Sequence, residues 1–124
     1  MDTDARKKIA VEFLQMASAG QLQRARAFIK PGGVHHNMYF AAGWDTLLPA
    51  MEEAARESPK QQFVVKHVLA DGDLVAVHSH VIPKPGDVGI AVVHLLRFEG
   101  TQIAEFWDVA AQIPADSPNK DGAF

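Results

Sequence analysis

The segment MEEAARESPKQQFVVKHVLA, residues 51–70, changes its period in the middle. Before Pro59, Met51, Ala54 and Ala55 continue a stripe opened by Leu47 and Leu48, at the three- and four-residue spacing of one helix face. Past Pro59 the chain is rich in valine and aromatics, as a strand is. Working back from this switch, Asp45 or Thr46 can cap a third helix through about Ser58. Pro49 is tolerated in its first turn, where amides lack an intrahelical acceptor. Ile9, Phe13 and Met16/Ala17, with Ala10 and Leu14 beside them, predict a first helix over residues 4–19 that Gly20 ends. Leu22, Ala25 and Phe28/Ile29 predict a short second helix, closed by Lys30-Pro31-Gly32-Gly33. Working forward, residues 62–70, 74–82, 88–98 and 103–111 read as four strands separated by DGD, KPGD and EGT turns. Three helices followed by four hairpin-linked strands predict an α+β fold, with a curved antiparallel sheet wrapped around the helices.

The 124 residues suit one domain, 1–124, with a polar tail over about 115–124 that is either loose or pinned by Phe124. With 48% hydrophobic and 22% charged residues, the composition is that of a globular chain. A net charge of −3 with interspersed signs offers no basic stripe for a phosphate backbone, so nucleic acid is not an expected partner. The absence of cysteine removes disulfides, thiolate metal sites and a cysteine nucleophile together. The apolar runs are too short to span a bilayer, and MDTDARKK lacks the apolar core of a signal peptide. No membrane association and a cytoplasmic location are therefore the expectation.

Three groups of residues bear chemistry. His78 and His80 share one face of a strand, roughly 7 Å apart along it, which suits a metal, a polar pocket or an interface. Gly72 followed by His78-x-His80 resembles the opening of a cupin metal motif, but the next glutamate is missing. Only His94 and Asp108, from other strands, could complete a ligand set, so no metal is expected. His35-His36-Asn37 lies beside Met38, Tyr39 and Phe40, a mixture that can orient a carbonyl or hydroxyl or can simply be a solvated loop. In Glu105-Phe106-Trp107-Asp108, alternation puts Phe106 and Asp108 on one face and Glu105 and Trp107 on the other. Alternation does not say which face is concave.

Taken together, HHN ahead of the third helix, VKHVLADGDLVAVHSH, VVHLLRFEG and IAEFWDV resemble the SnoaL-like group of the nuclear transport factor 2-like superfamily. The resemblance runs from about residue 35 to the C-terminus. It implies a cone-shaped α+β roll of the cystatin-like kind, whose bent sheet and N-terminal helices enclose an apolar pocket, and often a homodimer through the outer face of the sheet. It also implies a cofactor-free enzyme, of cyclase or isomerase type, acting by general acid–base chemistry on a small apolar carbonyl compound. Asp108 would then be the base, and His36, Asn37 or a strand histidine would hold the developing oxyanion. Tyr39, His78, His80, His94, Phe106 and Trp107 are the candidate ligand-binding residues. Members often carry histidine before the Trp-Asp pair, where this chain has Phe106. The alternative is a pocket protein of the same fold that binds a small molecule without turning it over.

Overall fold

A computed structural model describes residues 3–124. The first helix, α1 (Thr3–Ser18), buries Ala10, Phe13, Leu14 and Ala17 along one face. Gly20 ends it at φ 78°, with the amides of Gly20 and Gln21 turned back onto the carbonyls of Ala17 and Met16. A single turn of helix, α2 (Leu22–Ala25), runs on through a 3₁₀ turn (Arg26–Phe28). After it comes α3 (Trp44–Glu57), which buries Trp44, Leu47, Leu48 and Ala55. Its N-cap is Gly43, ahead of the expected Asp45 or Thr46, so Asp45 stands in the first turn and Pro49 lies deeper in the helix than expected.

The four expected strands are present as Gln62–Asp71, Leu74–Ile82, Ile90–Glu99 and Gln102–Gln112, each antiparallel to the next. A fifth strand precedes them. Residues Ile29–His35, expected to be the closing breaker of the second helix and a loop, form β1, and the later strands are therefore β2 to β5. The sheet order is β1-β5-β4-β3-β2, with β1 parallel to β5. The sheet is thus mixed, not wholly antiparallel. The breaker residues survive inside β1 as a long bulge. Ile29 pairs with Ile103 and Val34 with Glu105, so Lys30-Pro31-Gly32-Gly33 stand against Ala104 alone.

The inner, helix-covered face of the sheet carries Val75, Val77 and Ser79 of β3, Val92 and Leu96 of β4 and Phe106 of β5, all buried. Phe13 meets Phe106 edge to face at 6.0 Å, and Trp44 tilts onto the same ring at 5.9 Å. In β2 the register shifts between Val65 and His67, leaving Lys66 as an extra residue. Phe63, Val65, Val68 and Ala70 therefore all pack on the core, while His67 and Leu69 face outward.

Gly33 lets the bulge close. A Cβ there would stand 2.5 Å from Trp44 Nε1 and 2.7 Å from the Ala104 carbonyl oxygen. Both are held by the core and by the sheet, so neither can retreat as a flexible surface side chain would. Gly33→Ala is expected to destabilise the fold by about 1–3 kcal/mol through overpacking. Chemical denaturation measures this directly, and a midpoint unchanged from the parent would mean that the bulge yields.

Candidate functional site

β1 delivers its last residue to the inner face. His35 pairs with Phe106 and is 5% exposed. Its Nε2–H donates to the Ala41 carbonyl at 2.8 Å, and its Nδ1 accepts from the Asn37 amide at 3.1 Å, so both ring nitrogens are used and the tautomer is fixed. Asn37 is held in turn. Its Oδ1 accepts from the Tyr39 amide at 3.0 Å, which directs its Nδ2 onto Asp108 Oδ2 at 2.8 Å. Asp108 is half-buried, and its Oδ1 has no partner among the described residues. His35, Asn37 and Asp108 thus form one chain of hydrogen bonds, from the end of β1 to β5.

Across the sheet, Asp108 pairs with His94 of β4 and Val92 pairs with Ala110. Between this inner face and helices α1 and α3 is a cavity of about 210 Å³, walled by Leu14, Met51, Phe63, Ile90, Val92 and His94 among others. Ala110, next but one to Asp108 and on its face, also lines it. The His94 ring sits between Phe63 (6.0 Å) and Phe106 (5.3 Å). Its Nδ1 is buried with no partner, and what surface the ring retains faces the cavity. Enclosure by apolar side chains disfavours the charged form and pushes its pKa from 6.5 down to about 4. His94 is accordingly neutral at physiological pH. Ser79, likewise on the inner face, also keeps a buried hydroxyl without a partner.

Other candidates lie elsewhere. His36 follows His35 onto the outer face, stacks on Trp107 at 5.1 Å and donates from Nε2 to Glu105 Oε2 at 2.6 Å. His36, with Arg97 at 3.1 Å, holds the Glu105 carboxyl below its ordinary range. His78 and His80 also face outward. His78 is hydrogen-bonded to His67 across a 3.0 Å Nδ1···Nδ1 contact, His80 donates to the Val88 carbonyl at 2.7 Å, and Phe124 packs on both rings at 5.1 and 4.8 Å. The C-terminal tail is thus pinned by its last residue. Tyr39 projects into solvent at 87% exposure, whereas Phe106 is core. Of the predicted residues, the fold brings together Asp108, Asn37, His94 and Phe106, and separates from them His36, Trp107, His78, His80 and Tyr39. His35, absent from the predicted set, is the residue that positions Asn37. Alternation along β1 would have found it, had the strand been recognised. Among the described residues no group of histidines and carboxylates is arranged to hold a metal ion, and no helix is long and apolar enough to cross a membrane.

A profile of the SnoaL-like domain matches residues 10–106. Among solved structures, the chain is similar to AclR from Streptomyces galilaeus, at 23% identity and a TM-score of 0.75 over 89% of this chain and 91% of that one. It is similar to a SnoaL-like protein of unknown function from Burkholderia thailandensis, at 16% identity and a TM-score of 0.75 over 90% and 99%. A third is a provisionally assigned SnoaL-like polyketide cyclase from Shewanella putrefaciens, at 16% identity and a TM-score of 0.67 over 85% and 79%. At these identities the structures share the fold. No functionally curated protein matches the chain.

Proposed function

Because this chain belongs to the SnoaL-like domain family, we propose that it is a cofactor-free enzyme that removes a proton alpha to the carbonyl of a small apolar compound, as a step in aldol-type cyclisation or isomerisation. The observation that carries this reading is the Asn37–Asp108 hydrogen bond on the inner face, in register with His94. Asn37 holds one carboxylate oxygen and leaves the other free to take a proton. His94, uncharged and against the cavity, can donate a hydrogen bond from Nε2 to the enolate oxygen as charge develops there. The cavity, smaller than the roughly 300 Å³ at which drug-sized pockets begin, suits a compact substrate. The phenylalanine at 106 favours a second reading, ligand binding without turnover, because a polar group common in relatives beside this aspartate is replaced here by a core ring.

Hydrogen–deuterium exchange separates the two. Small cyclic ketones and β-keto esters in D₂O should exchange their alpha protons faster with the protein than without it. Saturable binding with no accelerated exchange would establish the binding-only reading instead.

The same reading includes a homodimer. Leu69 and Val109 are 61% and 66% exposed on the outer face of the sheet, and Trp107 and Leu95 lie on the same side, an apolar surface of the kind that a second subunit covers. Light scattering at micromolar concentration should give twice the 13.5 kDa protomer mass. Val109→Lys should shift the population toward monomer, and a monomer mass for the parent chain would overturn this part of the reading.

A further inference from the structure

We propose that the tail after β5 is a strap that holds Phe124 on the outer face of the sheet, and that it must lift before a second copy of this chain can pack there. The proposal rests on the homodimer reading above and adds to it a contact that opposes assembly. Cross-strand register lays out the surface concerned. His78, Val93 and Val109 stand in one row across β3, β4 and β5, and Ala76, Leu95 and Trp107 stand in the next. The Phe124 ring packs against His78 at 5.1 Å and against His80, two residues along β3, at 4.8 Å. It therefore sits in the row of Val109, one row from Leu95 and Trp107, on the face assigned to the second subunit.

The tail is built to deliver that ring. It leaves β5 with the Ile113 amide donating to the Gly89 carbonyl at 3.4 Å. It then turns tightly, the Asp121 amide donating to Asn119 Oδ1 at 3.0 Å and the Gly122 amide to the Asn119 carbonyl at 3.3 Å. Gly122 has a φ of 84°, which a residue with a Cβ adopts only under strain. Lys66, the extra residue of β2, brings its Nζ to 5.4 Å from the centroid of the Phe124 ring, a cation over an aromatic face. The grip is light all the same. Phe124 keeps 39% of its surface exposed, and between Ile113 and Phe124 every residue but Ser117 is exposed. Two sheets packed face to face lie about 10 Å apart, with the gap filled by side chains of both. The backbone of the tail follows the Phe124 ring into that gap, so strap and partner are alternatives on this surface. Only copies with the strap lifted associate, and the apparent dissociation constant rises as the fraction lifted falls.

Phe124→Ser and a chain cut after Pro114 take nothing from the core and leave the inner cavity intact. Fluorescence-detected sedimentation from nanomolar to micromolar concentration gives the dimer dissociation constant of each. Both changes should tighten the dimer roughly tenfold, about threefold for each of the two copies that no longer has to open. Docking of the strap is read separately in the Val109→Lys chain, which favours the monomer. There, Phe124→Ser should shift the ring-proton NMR signals of His78 and His80, because the ring current above them is lost. A dimer of unchanged strength in both variants overturns the strap and leaves the homodimer standing. A weaker dimer makes Phe124 a contact with the partner, and overturns the strap as well. Histidine signals that stay in place mean that the ring is not docked, with the same result. A chain that is monomeric in every form at the highest concentration ends the homodimer reading itself, and the strap with it. None of these outcomes depends on whether Asp108 acts as a base.

Discussion

Asp108→Asn is expected to lower protein-accelerated alpha-proton exchange by two to four orders of magnitude, the range over which a positioned general base contributes. The substitution conserves shape. The new amide oxygen can still accept from Asn37 Nδ2, now at 2.8 Å from Oδ2, so the loop that follows β1 keeps its anchor and the fold its stability. What is removed is the oxygen that takes the proton. Ligand affinity should change little, and the loss should fall on the rate of exchange at saturation. Exchange at the parental rate would dismiss Asp108 as the base. Asn37→Ala offers a graded comparison, since it frees the carboxylate to rotate but leaves it in place.

The second large effect is on stability in acid. In the unfolded chain His94 titrates near 6.5, and in the folded protein near 4. Between those values the unfolded state binds a proton that the native state refuses, so stability falls as the pH drops from about 6.5 through 4. At 1.36 kcal/mol per pH unit the interval sets a ceiling of about 3 kcal/mol, and the partial exposure of the ring brings the expected loss to about 2 kcal/mol. Glu105 and Glu99, whose folded pKa values are lowered by their partners, add a loss at lower pH still, as they are protonated. The difference between parent and His94→Leu isolates the histidine. Urea unfolding at pH 7 and pH 4.5 should show a steep decline in the parent and a shallow one in the variant. Parallel declines would mean that His94 accepts its proton within the folded state.

Local pattern was enough for most of the architecture. The apolar stripes of α1 and α3 and the valine-rich runs around glycine turns made those elements readable, because each is stabilised by neighbours in sequence. Alternation likewise separated Phe106 and Asp108 from Glu105 and Trp107. Choosing between the faces needed the core, and Phe106 packed on Phe13 decides it. β1 was illegible for a different reason. Pro31, Gly32 and Gly33 are poor strand residues, and this edge strand exists through a pairing with β5 some seventy residues away, interrupted by a bulge. Missing the strand reversed the reading of the two adjacent histidines. His36 has the look of a catalytic residue but points outward to Glu105, and His35 turns inward to hold Asn37.

The extra residue in β2 has a bearing on how this chain can change length. Lys66 is exposed and unmatched by a partner on β3, and a bulge of this kind bends the strand that carries it. Its excision would restore even pairing with every other β2 side chain on its present side, at the expense of curvature. Excision of His67 would do the same, with Lys66 taking its outward place, whereas excision of a residue away from this pair would turn part of the strand over, exchanging Val68 and Ala70 for His67 and Leu69 against the core. Among single deletions in β2, then, natural variation should accept the loss of one residue of the Lys66-His67 pair, and the relatives that lack it should have a flatter, wider-mouthed cone.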